Sequence, residues 1–276
     1  MPISVMYPFI HHPCYSNNRT RLWHRIHLPV APSCNVKCAF CSHTVGSSCH
    51  TSVPGYSSKV MSPEDAVART KIEVEKNPFL KIVAVSGPGE PFANPETYET
   101  LEMIRKEFRD IEICLSTNGT LLMDNVDWLK KQKVKTVTVS MSTANVNTAS
   151  KIYEWARFGD VHLRNEEMGS RIIMSQLEGI SKASREGIHV KVNSILIPEI
   201  NMQDIIPLAQ DISRAGAALH NIVPLVPNDK LSSCRPPTPT ELKEIRTQAS
   251  AFMQQFVHCK QCRSDVVGIP GHDRIL

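Results

Sequence analysis

A parallel α/β architecture, an open or closed barrel of βα units, is what this sequence predicts. Three observations carry that reading. Short apolar runs rich in β-branched residues alternate with amphipathic stretches along most of the chain. Six strand–helix pairs can be traced, and parallel strands need long crossovers, so the repetition implies parallel pairing with right-handed connections. The chain has 276 residues, 41% hydrophobic and 21% charged, enough for one barrel of roughly 200–250 residues with short extensions. That composition belongs neither to a disordered chain nor to a fibrous one.

Strands are predicted at residues 25–30, 81–86, 112–116, 134–140, 189–196 and 219–225. Helices are predicted between them at 62–76, 95–108, 124–131, 170–186 and 204–215. Ser62-Pro63-Glu64-Asp65 is a strong helix start, with Ser as N-cap, Pro in the first turn and two acids beside it. Gly187 and Gly216 follow basic helix ends and read as C-caps. Residues 143–170 fit the alternation least and suggest an insertion or lid. A helical stretch is expected there at 149–158, with Tyr153 and Trp155 as packing residues. The Pro-rich segment 226–240 ends the barrel near Leu225, and residues 238–257 read as a last helix with Thr240 as N-cap. The expected organisation is an N-terminal extension (1–24), a barrel (25–225), and a linker, helix and tail (226–276). No internal repeat or low-complexity tract is visible.

Charge and hydropathy exclude several classes. Lys and Arg number 31 against 27 Asp and Glu, a net +4, without the clustering that a nucleic-acid footprint needs. No run approaches the ~20 apolar residues of a membrane span. Met1 to Phe9 lacks the basic start of a secretory signal. A cytoplasmic protein is expected. The nine cysteines are uneven: Cys34, Cys38 and Cys41 lie together, Cys259 and Cys262 form a pair, and Cys14, Cys49, Cys114 and Cys234 stand apart. An odd, clustered set in a reducing compartment reads as metal ligation rather than disulfides.

The sharpest feature is Cys34-Asn35-Val36-Lys37-Cys38-Ala39-Phe40-Cys41, just after the first predicted strand. Three thiolates at this spacing can wrap one corner of a cubic iron–sulfur cluster, leaving one iron without a protein ligand. A zinc site completed by His43 or Cys49 is the bland alternative. This arrangement resembles the radical S-adenosylmethionine (SAM) superfamily. In that family the open iron binds the amino and carboxylate groups of SAM, and one electron cleaves SAM to a 5′-deoxyadenosyl radical. Ser86-Gly87-Pro88-Gly89-Glu90-Pro91, after the second strand, is similar to the family's glycine-rich SAM-binding segment. Gly87, Pro88, Gly89 and Glu90 are the candidate cofactor residues there. Glycines allow close backbone approach, and a carboxylate suits a cationic amine. Asn118 and Asn193, near strand ends, are further candidates for the SAM carboxylate or ribose; the bland reading makes them turn and strand residues.

A narrower resemblance spans about residues 12–268. His12-Pro13-Cys14-Tyr15-Ser16 and Arg25-Ile26-His27-Leu28-Pro29-Val30-Ala31-Pro32 resemble the NifB family of nitrogenase-cofactor maturases. So do Cys114-Leu115-Ser116-Thr117-Asn118-Gly119, Lys191-Val192-Asn193-Ser194, Leu219-His220-Asn221-Ile222-Val223-Pro224-Leu225 and the tail Cys259-Lys260-Gln261-Cys262-Arg263-Ser264-Asp265-Val266-Val267-Gly268. The resemblance implies three 4Fe-4S clusters, one binding SAM and two serving as substrates. The two substrates fuse, with SAM-derived carbide and extra sulfur, into an eight-iron cofactor precursor. Carried over, Cys34, Cys38 and Cys41 hold the SAM cluster. Cys14, Cys49, Cys114, Cys259 and Cys262, with a histidine from His11/His12, hold the others. A provisional division gives one cluster His12, Cys49 and Cys114, and the other Cys14, Cys259 and Cys262. Implied partners are SAM, Fe–S cluster donors and nitrogenase cofactor assembly proteins.

Some positions depart from the family pattern. Ser42-His43-Thr44 stands where the family has Asn-Arg-Lys, and Cys49 comes eight positions after Cys41 rather than six. Thr51-Ser52-Val53 replaces Glu-Ser-Arg before Pro54-Gly55. Cys234 has no counterpart and reads as a free thiol. Bland readings stand beside the others: Cys114 as a small core residue, His11 and His12 as exposed terminal histidines, Cys259 and Cys262 as a small zinc or redox site. Three functional classes follow: a cofactor maturase, a radical SAM enzyme with auxiliary clusters acting on a peptide or small molecule, and a non-catalytic Fe–S scaffold.

Overall fold

The computed structural model describes residues 9–42, 45 and 54–276. All six predicted barrel strands form, as β1 (His24–His27), β3 (Leu80–Val85), β4 (Glu112–Thr117), β5 (Thr136–Ser140), β8 (His189–Leu196) and β9 (Leu219–Pro224). They pair in parallel in the order β1-β3-β4-β5-β8-β9. The crossover helices are α1 (Pro63–Lys76), α2 (Pro95–Glu107), α3 (Leu122–Lys131), α5 (Asn165–Arg185) and α7 (Ile205–Arg214), with the short α6 (Pro198–Asn201) before the last. The strand β10 (Val266–Gly268) adds antiparallel to β1, and β11 (Arg274–Ile275) adds to β10. The barrel is therefore open, with β9 at one edge and tail strands at the other.

Local chemistry sets these elements. The Ser62 hydroxyl accepts from the Asp65 N–H at 3.1 Å and so caps α1. Gly187 and Gly216 end their helices at φ +80° and +93°, a conformation that costs glycine little. Alternation along the strands separates two buried regions. Val83, Val85, Ile113, Leu115, Val137 and Val139 belong to the main core with Leu101, Ile104, Val126 and Leu129 of the helices. Ile82, Ala84, Cys114 and Leu219 form a second cluster with Phe9, Tyr15 and Phe256, which fills one end of the lumen. No helix among the described residues is long and apolar enough to cross a membrane.

Three expectations are corrected. Residues 149–158 are not one helix: α4 (Val146–Ile152) stops, and β6 (Tyr153–Phe158) forms a hairpin with β7 (Val161–Leu163). Strand β2 (Val36–Cys38), more than a hundred residues earlier in the chain, supplies the partner edge for β6 and overrides local helix preference. The cap of the final helix α8 (Pro239–Ala249) is Thr238, not Thr240. The Thr238 hydroxyl accepts from Glu241 N at 3.2 Å while the Glu241 carboxylate accepts from Thr238 N at 2.7 Å, a reciprocal box. That helix ends at Ala249, because the chain then turns inward to bury Phe256 beside β9.

Candidate functional site

The cysteine triplet is held by backbone pairing rather than left in a free loop. Cys38 ends β2 opposite Tyr153 of β6. Ala39 N donates to Ile152 O at 2.8 Å, and Arg157 N to Asn35 O at 2.7 Å. The Lys37 ammonium, between the first two thiols in sequence, contacts the Asp229 carboxylate and the Cys41 carbonyl. Cys34, Cys38 and Cys41 act electrostatically on one another. Burial pushes the Cys34 thiol up to about 12 and the Cys38 thiol well above its ordinary range, and neighbouring thiols and Glu90 add to both shifts. Such thiols keep their protons at neutral pH until a metal displaces them, so binding here releases protons.

The glycine-rich loop and the approach to the triplet form one body. Gly89 N donates to Ala31 O at 2.6 Å, and Glu90 N to Ser33 O at 2.9 Å. The Asn94 amide donates to Ser33 O at 2.8 Å and to Glu90 O at 2.7 Å. A side chain on Gly89 would place its Cβ 2.1 Å from Ser33 O, which is why only glycine fits. An open cleft of about 610 Å³ lies beside Cys41, walled by Phe40, Tyr56, Pro88, Ile195 and Gln261. Ser42 and Pro54, on either side of the segment that contains Cys49, both line it. Cys49 itself, like His43, lies outside the described residues.

Glu90 is placed differently from the sequence reading. Its buried carboxylate is fully engaged within the protein, so it is not turned to a ligand amine. Oε1 accepts from Thr117 Oγ1 at 2.6 Å and Phe92 N at 3.1 Å, and Oε2 accepts from Asn118 N at 2.6 Å. Glu90 thus joins the glycine loop to the end of β4. Asn118 is likewise used: its amide donates to Asn35 Oδ1 at 2.9 Å and lies 3.9 Å from Cys34 Sγ. Asn193 faces the lumen and accepts from the Asn221 amide at 2.8 Å.

Burial raises the Glu90 carboxyl to about 7, against three hydrogen bonds that pull it down. A carboxyl raised on folding binds its proton more tightly in the native state, so its contribution to stability is complete below about pH 4.5. It is lost as pH rises through about 7. The stability of the native protein minus that of Glu90→Gln is expected to fall by about 1 kcal/mol between pH 6 and 8. Denaturant titration of both proteins at the two pH values checks this.

A second group of thiols lies in the lumen. Cys114, on β4 between Ala84 and Thr136, is buried in the same cluster that Cys14 and Cys259 touch. The field of Cys14 reaches both Cys114 and Cys262. Burial lifts the Cys114 thiol to about 11 and the Cys262 thiol to about 12, the latter despite Arg25, whose guanidinium donates to its sulfur at 2.9 Å. Arg25 is itself buried and held by Asp273 at 2.5 Å and Gly268 O at 2.7 Å. Thiols from the N-terminal segment, β4 and the tail therefore meet in one continuous group. Cys49, a member of one of the two ligand sets expected from the sequence, lies outside the described residues.

His12 is buried beside Cys14, not exposed in a loose terminus. Burial, reinforced by Lys191, Arg25 and His27, lowers its pKa to about 3, so the ring is neutral. Its Nδ1 accepts from Cys14 N at 3.1 Å, which leaves the proton on Nε2, an atom with no partner. As arranged, His12 offers a donor to the lumen; ligation through Nε2 requires that hydrogen bond to break. His11 packs on Trp23, its Nδ1 also buried without a partner. Among the described residues no three His, Cys, Asp or Glu groups converge closely enough to hold a single metal ion. The triplet thiols interact while remaining apart, which fits a polynuclear cluster whose ligands sit on separate irons.

Comparison with known proteins places this geometry. The Radical SAM superfamily profile matches residues 28–212. The chain is 38% identical over 265 residues to the FeMo cofactor biosynthesis protein NifB of Methanocaldococcus infernus, covering 96% of this chain and 87% of that protein. The NifB protein of Klebsiella pneumoniae is 38% identical over 270 residues, covering 95% of this chain but 58% of that one. The chain belongs to the NifB family of radical SAM proteins. It spans little more than half the length of the Klebsiella relative. Two solved structures share the fold: anSMEcpe with bound AdoMet and a peptide (TM-score 0.57, 14% identity, 83% of this chain and 59% of that chain) and methylornithine synthase PylB (TM-score 0.52, 12% identity, 91% and 73%).

Within this NifB-family chain, sequence reading missed the polar groups of the lumen. Arg25 and His27 on β1, and Lys191 on β8, are buried polar residues on strands that are otherwise largely apolar and buried. Polar residues at alternate positions of an otherwise apolar strand were the available signal. Also missed was the Arg263–Asp265 pair, with bonds of 2.8 and 2.7 Å, which ties the tail to Ser58 and so to the cleft wall.

Proposed function

We propose that this chain builds the metal-cluster core of the FeMo cofactor by radical SAM chemistry. Two 4Fe-4S clusters would be its substrates, joined with carbide from SAM and extra sulfur. The observation that carries this reading is the gathering of Cys14, Cys259 and Cys262, all half-buried, about the buried Cys114, from three parts of the chain.

Cys34, Cys38 and Cys41 would hold the resident cluster, which when bound supplies the electron that cleaves SAM. The residues around it prepare that event. Lys37 and the β2–β6 pairing fix the spacing of the thiols. Pro88 brings the loop of Gly87 and Gly89 to the cleft, where that loop's backbone would receive the SAM amino group, and Glu90 holds the loop to Asn118. Phe40, Tyr56 and Ile195 give the cleft an apolar wall against which a reactive radical would lie. Cys49 would be a further ligand, since both flanks of its segment line the cleft. Donors of 4Fe-4S clusters and acceptors of the product are the partners this chemistry calls for.

Iron analysis tests the reading. The anaerobically reconstituted chain is expected to hold about twelve irons, three cubanes of four. A value near four would overturn it, and a value near eight would favour a radical SAM enzyme with one auxiliary cluster.

A further inference from the structure

Among the described residues, three of the buried or half-buried cations near the thiols have carboxylate partners. Arg25 is paired with Asp273, Arg263 with Asp265 and Lys37 with Asp229. Arg19 and Arg246, both half-buried, bond backbone carbonyls instead, and Lys191 is the one almost fully buried cation among them without a carboxylate. It is 3% exposed and stands in the lumen, flanked by Thr138 of β5 and Leu219 of β9. Its ammonium donates to Cys14 O at 3.0 Å and lies 4.9 Å from the Tyr15 ring and 5.2 Å from the Phe256 ring. Among the described residues no carboxylate forms an ion pair with it. A buried ammonium without a counter-ion is costly, and aromatic faces and one carbonyl offset only part of that cost.

The groups that feel this charge are the thiols and histidines of the lumen, Cys114, His12 and His27 among them. We infer that Lys191 is the built-in counter-charge for an anionic thiolate-bound cluster at Cys14 and Cys114. The inference rests on the proposed reading of those cysteines as cluster ligands. Thiolates and a reduced cluster bring negative charge into a low-dielectric space, where a fixed ammonium acts strongly. Lys191 therefore favours the more reduced state of the cluster. Through the carbonyl of Cys14 it also fixes the backbone that carries one ligand. It is a positioning residue, acting through the ligands and the field rather than on a reacting atom.

The test uses full-length chain, anaerobically reconstituted, with iron counting and an EPR-monitored redox titration of each cluster signal. Lys191→Met keeps the stem and removes the charge. It is expected either to lose about one cubane of iron or to move the auxiliary midpoint potential to a more negative value. Lys191→Arg, which keeps the charge, is expected to restore both. The SAM-cluster signal serves as the check on folding. Where Lys191→Met yields no folded protein, Thr138→Asp decides in the same way, because it sets a carboxylate beside an intact Lys191. Native iron content together with an unmoved auxiliary potential would overturn the inference, and so would equal loss in Lys191→Arg. Wild-type protein with about four irons would remove the cluster reading and this role with it; about twelve irons with an unaffected Lys191→Met would remove this role alone.

Discussion

Replacing Cys34, Cys38 and Cys41 together by alanine is expected to cut reductive SAM cleavage to below about one-thousandth of the native rate. The three thiols come from one short segment anchored on β6 and act electrostatically on one another. The fold should survive the change, because the anchoring is by backbone and by the Lys37–Asp229 pair. The measurement is 5′-deoxyadenosine formation alongside the EPR spectrum of the reduced protein with and without SAM. A SAM-induced spectral change that persists in the triple variant would refute the assignment.

Gly89→Ala is expected to have the second large effect. A Cβ there would meet Ser33 O at 2.1 Å, Ser33 C at 2.6 Å and Ala31 O at 2.9 Å, all backbone atoms that cannot swing aside. The glycine loop must then separate from residues 31–33, breaking the bond from Gly89 N to Ala31 O. A loss of about 1–3 kcal/mol in stability follows from overpacking of this kind. SAM affinity should fall at least about tenfold, equivalent to ~1.4 kcal/mol, while iron at the triplet is retained. Equilibrium binding of SAM to the reconstituted variant, with its denaturant midpoint, checks both.

Much of the fold was legible because its signals are local. The six strands stand out as β-branched runs between good helix starts, and Ser62, Gly187 and Gly216 mark boundaries through short-range hydrogen bonding and backbone freedom. The β2–β6–β7 sheet was not legible, because β6 exists by pairing with residues far away in sequence. Gly159-Asp160 was the one local hint, a two-residue turn between Phe158 and Val161. The capping box of α8 was present in Pro237-Thr238-Pro239-Thr240-Glu241, with two threonines competing for the cap. Only the position of Glu241 three residues on selects Thr238.

The site divides the same way. Cysteine spacing announces the triplet, since the chemistry needs those residues in one short segment. Glu90 and Asn118 have the right residue types at the right loops, yet their polar atoms are consumed by one another and by Thr117 and Asn35. Sequence does not show which hydrogen bonds a side chain has already made. The role of Lys191 is hidden for a related reason: a lysine on a strand becomes informative only when that face is known to be buried.

The most direct test of the central claim is the pair of products formed from SAM by the iron-loaded chain under dithionite. Methyl transfer leaves S-adenosylhomocysteine, and hydrogen abstraction by the radical leaves 5′-deoxyadenosine. A protein that takes its carbide from SAM must make both, so both are expected to accumulate in one anaerobic reaction analysed by mass spectrometry. 5′-Deoxyadenosine without S-adenosylhomocysteine would contradict the carbide-donating role, and the absence of both would leave an iron–sulfur scaffold.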